Sequence, residues 1–262
     1  MPNRIDAKFA DLKAQGKKAL ITYIVAGDAG YELTEQAVLE MEKNGVDIVE
    51  IGVPFSDPIA EGEVIQEASL RSLRDNHTTL KDVFEMVARL RKKTDMPLLL
   101  MLYANTVFRT PDFFERCKAV GVDGVIIPDL PFEEHDEFDE KAHANGVYNI
   151  SLVTPASHGR IAKIAAKAEG FLYCVSSTGV TGMRDKFSTD FDAFFNEIKA
   201  SATVPYCVGF GIRSGEAAKK MGSYCDGVIV GSAIVNQVAA HGKDAVPYIA
   251  ETVKDLRSGL DS

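Results

Sequence analysis

The chain has 262 residues, of which 46% are hydrophobic and 26% charged, and its 29 basic and 38 acidic residues give a formal net charge of −9. This balance is typical of a globular protein with a substantial core. Because the chain is acidic and has no basic runs, we expect neither nucleic acid nor an anionic membrane surface as a partner. A small anion held by backbone amides is compatible with the charge.

The N-terminal residues and the cysteines indicate the cellular compartment of the chain. The first residues are polar with helical spacing, and no apolar run is long enough to span a bilayer. The cysteines are widely separated, without a CxxC pair or histidines at zinc-ligand spacing. We therefore expect a cytoplasmic chain with buried, reduced thiols; a catalytic thiol is the alternative. The four cysteines are Cys117, Cys174, Cys207 and Cys225.

Short apolar runs bounded by turn residues alternate along the whole chain with stretches of helical periodicity. An amphipathic segment, Ile5–Gln15, precedes the first strand. The predicted strands are Ala19–Val25, Asp47–Gly52, Pro97–Tyr103, Gly124–Ile127, Tyr148–Val153, Phe171–Val175, Val204–Gly209 and Gly227–Gly231. The predicted helices after them are Tyr31–Asn44, Val64–Asn76, Thr79–Thr94, Pro111–Val120, Phe132–Asn145, His158–Ala168, Asp190–Ala200, Ser214–Met221 and Val246–Ser258.

Eight apolar strands, each followed by helix, predict an α/β fold, a (β/α)8 TIM barrel with an extra N-terminal helix. Since no linker or change in composition divides the sequence, we expect residues 1–262 to form a single catalytic domain. A doubly wound open sheet is the alternative. That fold would need a GxGxxG turn after the first strand, where the sequence reads Ala26-Gly27-Asp28-Ala29-Gly30.

In a parallel barrel, functional residues follow the carboxyl ends of the strands. At these positions the sequence has no lysine, which argues against Schiff-base chemistry, and no histidine, which argues against a histidine metal site. The remaining groups that can transfer protons are carboxylates and a tyrosine. We therefore expect acid–base chemistry without a metal.

Glycines after the last two predicted strands indicate a phosphate site. Gly209-Phe210-Gly211 follows the seventh strand and Gly231-Ser232 follows the eighth. Barrels commonly bind phosphate at these loops, through backbone N–H groups and a short helix that Ser232 would open. The alternative is that the glycines only permit tight turns.

Glu50 is the candidate for proton transfer. It lies near the end of the second strand, and the isoleucine and valine beside it would desolvate its carboxyl group and raise its pKa. Alternatively, Glu50 closes the top layer of the barrel through a hydrogen bond. Two loops with glycine hinges and few apolar anchors, Pro54–Gly62 and Thr178–Phe187, are typical of segments that close over a substrate.

Five segments together resemble the tryptophan synthase alpha chain family, from the first strand to the last helix. The most specific is Val49-Glu50-Ile51-Gly52-Val53-Pro54-Phe55-Ser56-Asp57-Pro58. The others are Tyr103-Ala104-Asn105, Gly179-Val180-Thr181-Gly182, Gly209-Phe210-Gly211-Ile212 and Gly231-Ser232-Ala233-Ile234-Val235.

The resemblance implies a lyase that cleaves indole-3-glycerol phosphate to indole and glyceraldehyde 3-phosphate in L-tryptophan biosynthesis. It also implies a beta-chain partner in an alpha2-beta2 heterotetramer. The beta chain carries pyridoxal phosphate and condenses the indole with serine, so we expect no cofactor on this chain.

The same resemblance assigns the site residues. Glu50 matches the general acid–base glutamate, and Tyr173 matches a tyrosine near the substrate. The positions that match the phosphate site are Gly182, Gly211, Gly231 and Ser232. Tyr23 and Met101 match the wall of the indole pocket, although both would equally suit a barrel core.

Three positions depart from the family pattern. Glu61 stands where the family usually has an aspartate that accepts the indole N–H, so its side chain is one methylene longer. Glu63 replaces a common proline, and Ser177 stands where many members have arginine. Because a misplacement of about 1 Å can cost on the order of 100-fold in rate, we expect a shifted loop or a slow uncoupled enzyme.

Other functions remain open from the sequence. Another phosphate-binding barrel enzyme would share the glycine loops but not the segment Val53–Pro58. The chain could instead be a catalytically weak activator of a beta chain, or a lyase that releases free indole. We expect low activity from the isolated chain and a strong rise when a beta chain favours loop closure, with Thr181 bonding Glu61.

Overall fold

Parallel strands form the centre of the computed structural model, which describes residues 3–175, 191–209 and 211–262. In the sheet the strands follow the order β5-β4-β3-β2-β1-β9-β8-β7-β6, and all neighbours are parallel. The strands are β1 Ala19–Val25, β2 Ile48–Gly52, β3 Leu98–Met101, β4 Gly124–Ile126, β5 Tyr148–Asn149, β6 Leu152–Val153, β7 Leu172–Val175, β8 Tyr206–Gly209 and β9 Gly227–Val230.

The two ends of this strand order belong to one predicted strand, Tyr148–Val153, which the structure divides into β5 and β6. Ile150 donates its N–H to Val125 O at 2.9 Å, while Ser151 accepts from the Tyr173 N–H at 2.9 Å. Successive residues thus bond to opposite neighbours, β4 and then β7. The barrel closes through this segment, and the predicted (β/α)8 architecture is confirmed with its fifth strand interrupted.

Helices surround the strands. They are α1 Arg4–Gln15, α2 Tyr31–Lys43, α3 Glu63–Asn76, α4 Leu80–Arg91, α5 Ala104–Phe108, α6 Phe113–Val120, α7 His135–Ala144, α8 Ile161–Lys167, α9 Phe191–Ser201, α10 Gly215–Gly222, α11 Ser232–His241 and α12 Val246–Leu260. Short 3-10 turns cover Phe132–Glu134, Pro155–Arg160 and Gly242–Asp244. Within the described residues, no helix combines the length and the apolarity that crossing a membrane requires.

Local sequence signals explain several helix ends. Asn3 caps α1 by accepting the Ile5 N–H, and Thr79 forms a capping box with Asp82 at the start of α4. Ser214 caps α10 by accepting the Ala217 N–H. The five-residue helix α5 was not predicted, because it is too short to display a helical period.

Alternate strand residues fill the barrel with apolar side chains. Ile21, Ile48 and Leu99 are fully buried there, and helix α1 closes the end from which the strands start. The Phe9 ring of α1 lies 5.8 Å from that of Phe171, centroid to centroid. The opposite end, where the strands finish, is therefore the one that loops can shape into a site.

Three aspartates fix the strands at their starting end. Each directly precedes a strand, and each carboxylate accepts a hydrogen bond from a backbone N–H of a neighbouring strand. Asp47 accepts from Leu20 at 2.9 Å, Asp123 from Leu98 at 2.9 Å, and Asp226 from Tyr206 at 3.1 Å. These bonds hold the barrel register away from the candidate site.

Candidate active site

Glu50 lies on β2 with its side chain inside the barrel and is only 1% exposed. Its Oε1 is buried and has no hydrogen-bond partner among the described residues. Burial raises the pKa of this carboxyl group to about 8. A carboxyl group in this state holds a proton at neutral pH and can donate it to a bound molecule.

Two tyrosines lie close to Glu50 inside the barrel. Tyr23 is paired with Glu50 in the β1–β2 register, and Tyr173 lies on β7. Burial raises the pKa of both hydroxyls well above the usual value, and the negative charge of Glu50 raises both further. Both tyrosines are therefore neutral hydrogen-bonding groups beside the carboxyl group.

Glycines at the strand ends make room for these two rings. A Cβ on Gly209 would lie 2.6 Å from the Tyr173 hydroxyl oxygen, and a Cβ on Gly52 would overlap the Tyr23 hydroxyl. Gly209, which the sequence suggested as part of a phosphate loop, thus has a packing role.

Met101 closes one side of the site at the end of β3. It is half-buried and packs against the group of side chains that includes Tyr23, Ile65 and Val235. Tyr23 and Met101 are thus brought together next to Glu50, as an indole pocket would require.

Gly231 and Ser232 lie where the sequence predicted an anion site. Helix α11 starts at Ser232 directly after β9, with Gly231 as its N-cap. The first N–H groups of a helix have no partner within it and attract anions. A Cβ on Gly231 would lie 3.6 Å from the Tyr23 Cβ, so this helix end adjoins the pocket wall.

Gly211 is exposed and has φ of +71°, with no atom within 4 Å of a Cβ built on it. Its backbone conformation, and not crowding, favours glycine here.

Glu61 projects from the loop after β2 and bonds to Tyr103. The Tyr103 hydroxyl donates to Glu61 Oε2 and accepts the Ala60 N–H at 3.0 Å. Burial raises the pKa of Glu61, and the Tyr103 hydrogen bond opposes that rise. The side chain of Glu61, which is longer than that of an aspartate, is therefore fixed next to the site.

The loop Pro54–Gly62 is better anchored than the sequence suggested. The Phe55 and Tyr103 rings stack with centroids 4.8 Å apart, and Gln66 Nε2 donates to the Glu61 carbonyl oxygen at 2.8 Å. The expectation of few apolar anchors is corrected for this loop, because a buried ring at the end of β3 supports it.

Sequence reasoning missed Tyr103 and Asp129 as residues of the site. Asp129 Oδ1 accepts the Ala104 N–H at 2.9 Å and so fixes the chain directly after Tyr103. The sequence did contain a signal, because Tyr103 ends one predicted strand and Asp129 follows another, but nothing in the sequence links Tyr103 to Glu61.

Several predicted site residues lie outside the described residues. They are Thr181 and Gly182, together with Ser177, Phe210 and the rest of the loop Thr178–Phe187. Within residues 3–175, 191–209 and 211–262, no group of three or more His, Cys, Asp or Glu side chains could hold a metal ion.

The sequence comparisons identify one family. A model of the tryptophan synthase alpha chain family matches residues 9–258. The tryptophan synthase alpha chain of Caldanaerobacter subterraneus subsp. tengcongensis is 45% identical over 262 residues, covering 98% of this chain and 100% of the relative. That of Alkaliphilus metalliredigens is 44% identical over 260 residues, covering 98% and 97%.

Solved structures agree. Tryptophan synthase subunit alpha from Legionella pneumophila superposes with a TM-score of 0.89 at 35% identity, covering 100% of this chain and 99% of that one. A structure of the tryptophan synthase a2b2 complex from Pyrococcus furiosus gives a TM-score of 0.82 at 31% identity, covering 92% and 99%. With a family match over nearly all of its length and a superposable barrel, this chain belongs to the tryptophan synthase alpha chain family.

Proposed function

We propose that Glu50 transfers both protons in the reaction of this chain, which cleaves indole-3-glycerol phosphate to indole and glyceraldehyde 3-phosphate in L-tryptophan biosynthesis. One observation carries the assignment: a fully buried carboxyl group, with a pKa of about 8 and an unbonded oxygen, lies inside the barrel beside Tyr23 and Tyr173. No other carboxyl group of the described site combines these properties.

The chemistry needs one such group. Protonated Glu50 gives its proton to C3 of the indole ring, which is a poor leaving group as a carbanion. The Glu50 carboxylate then takes the proton of the hydroxyl on the neighbouring side-chain carbon. The carbon–carbon bond breaks, its electron pair returns to the ring, and the alcohol carbon becomes the aldehyde of glyceraldehyde 3-phosphate. Glu50 ends in its starting protonation state.

The remaining site residues bind the substrate in this proposal. Tyr23 and Met101 line the indole ring, Glu61 accepts the indole N–H, and Tyr173 lies beside the reacting carbon. We assign the phosphate to backbone N–H groups of Gly182, Gly211, Gly231 and Ser232, of which the last two lie at the start of α11. Support comes from the half-buried Met101 next to Tyr23 and from the position of α11.

The family and the a2b2 neighbour support a beta chain as partner. We assign its docking surface to the strand-end face of the barrel and the assembly to an alpha2-beta2 heterotetramer. Ile59 is 72% and Phe108 61% exposed, and they follow the adjacent strands β2 and β3. Exposed apolar side chains of this size on one face are typical of an interface. Docking there would favour loop closure, with Thr181 bonding to Glu61.

Two further proposals concern the chain as a whole. A single domain agrees with one continuous sheet and a family match from residue 9 to residue 258. A cytoplasmic location agrees with four free, buried cysteines, since disulfides are rare in that compartment.

The substitution Glu50→Gln tests the central assignment. The amide keeps the volume but cannot transfer protons, so cleavage should fall by about 100-fold or more. Turnover of indole-3-glycerol phosphate is measured with and without a beta chain, and circular dichroism monitors folding. Retention of more than about a tenth of wild-type turnover would remove Glu50 from this role.

The same assay separates two other functions. Wild-type cleavage that stays negligible with a beta chain would indicate an activator without its own chemistry. Rapid release of free indole by the isolated chain would indicate a stand-alone lyase.

A further inference from the structure

We propose that Tyr103 is a positioning residue: its hydroxyl holds the Glu61 carboxylate where the indole N–H binds, and it suits the longer side chain that this chain has in place of aspartate. The inference rests on the role of Glu61 proposed above. The inference makes Tyr103, at the end of β3, a determinant of substrate specificity. It also explains how a glutamate at position 61 can accept the indole N–H in place of an aspartate.

The geometry gives Tyr103 control over the loop. Its ring is 4% exposed and follows the end of β3, so its position is set by the barrel and not by the loop. The hydroxyl donates to Glu61 Oε2 and accepts from the Ala60 N–H at 3.0 Å. The ring also stacks on Phe55, at 4.8 Å between centroids and an interplanar angle of 27°. One rigid side chain therefore contacts both ends of the loop segment.

The length of the side chain at position 61 decides whether this contact forms. An aspartate would withdraw the carboxylate by one carbon–carbon bond, about 1.5 Å. A hydrogen bond does not survive that change unless the loop moves. The backbone of Glu61 is held by Gln66 at 2.8 Å, which opposes such a movement. Glu61 and Tyr103 thus fit each other, whereas an aspartate would leave the Tyr103 hydroxyl without this acceptor.

Tyr103 also helps to keep Glu61 ionised. Burial raises the pKa of Glu61 and the negative charge of Asp129 raises it further, while the hydrogen bond from Tyr103 lowers it. Tyr23 also faces Glu61, whose charge raises the Tyr23 pKa. Because a carboxylate accepts an N–H more strongly than a protonated carboxyl group does, loss of the Tyr103 bond should weaken recognition of the indole N–H.

Tyr103→Phe is the test, because it removes the hydroxyl and keeps the ring on Phe55. Calorimetry measures the binding of indole and of 1-methylindole, which lacks the N–H. We expect the preference for indole to fall by about tenfold. In the presence of a beta chain, the acidic limb of kcat/KM for indole-3-glycerol phosphate should move to higher pH. A residue with only a structural role would not shift that limb.

Tyr148→Phe is the matched control. The Tyr148 hydroxyl donates to Asp6 Oδ2 at 2.6 Å at the start of β5, near the opposite end of the barrel. Removing that tyrosine–carboxylate bond should change neither the preference for indole nor the acidic limb.

Glu61→Asp keeps the negative charge but removes the hydrogen bond to Tyr103. This variant should lose the same preference for indole over 1-methylindole. Adding Tyr103→Phe should reduce that preference little further, because the two residues act through one contact. If Tyr103→Phe does not fold, the Glu61→Asp binding ratio decides the matter.

An unchanged indole preference and an unchanged acidic limb in Tyr103→Phe would overturn the inference. If Glu50→Gln is inactive in the same experiments, the proposed function stands and only the Tyr103 role falls. If Glu50→Gln stays active, the proposed function falls, while the binding ratio, which needs no turnover, still tests the Tyr103–Glu61 pair.

Discussion

The raised pKa of Glu50 results from its position on β2. The side chains before and after it, Val49 and Ile51, face the outer core and are fully buried, while Glu50 itself points into the barrel. With no hydrogen bond to Oε1 among the described residues, desolvation alone raises its pKa to about 8. An acid suited to protonating a ring carbon at neutral pH therefore arises from burial, without help from a second charge.

The raised pKa makes stability depend on pH. The pKa of Glu50 is about 8 in the folded protein against 4.5 for the ordinary group, so the folded state favours the protonated form. Its contribution to stability is fully present below about pH 4.5 and is lost as the pH rises through about 8. Relative to Glu50→Gln, which does not titrate, the wild type should lose a few kcal/mol over this interval.

Urea unfolding at pH values from 5 to 9 measures this loss, with Glu85→Gln on the exposed face of α4 as a control for the chemical change. Parallel curves for wild type and Glu50→Gln would show that burial does not raise the pKa of Glu50. In the proposed reaction protonated Glu50 acts first, so kcat/KM should also decline above about pH 8.

At the scale of elements, glycines of the same sequence motif have different functions. Gly209 ends β8 and leaves space for the Tyr173 ring, whereas Gly211 has open space and a positive φ. Helix α11 adds its N-terminus directly after β9. The phosphate site proposed above thus combines a loop conformation that favours glycine with the free N–H groups of a helix end.

Gly211→Val should weaken binding of glycerol 3-phosphate by about tenfold or more, because a β-branched residue strains a backbone at φ +71° and moves the loop. Calorimetry with glycerol 3-phosphate measures the effect. Gly146→Val is a matched control, since Gly146 is also exposed, has φ +70° and has no atom within 4 Å of its Cβ position. Equal affinity in Gly211→Val and wild type would place the anion elsewhere.

The whole molecule separates stability from function along the barrel axis. At the end where strands start, Asp123 accepts from Leu98 N and bonds to Arg91 at 2.8 Å and Arg4 at 2.9 Å. At the end where strands finish, loops expose Ile59 and Phe108 and surround Glu50. Ion pairs and register bonds at one end leave the other end free to vary for binding and catalysis.

Phe108→Asp should weaken activation by a beta chain by about tenfold, because a charge would be buried in the proposed apolar interface. The concentration of beta chain that gives half-maximal stimulation of cleavage measures this effect. Tyr248→Asp is the control, since Tyr248 is 42% exposed on α12, a helix that packs against α2 and α10. If both variants respond to the beta chain as the wild type does, the docking face lies elsewhere.

The barrel, the family and the position of Glu50 were predictable without a structure, because strand periodicity, strand-end glycines and the segment after β2 are local patterns. The sequence also located α11 at Ser232. Three features became visible only in the folded chain: β5 and β6 are separate strands, Gly209 leaves space for the Tyr173 ring, and the Tyr103 hydroxyl bonds to Glu61. These features join residues from different strands, and no spacing along the chain encodes a contact that forms only when the barrel closes.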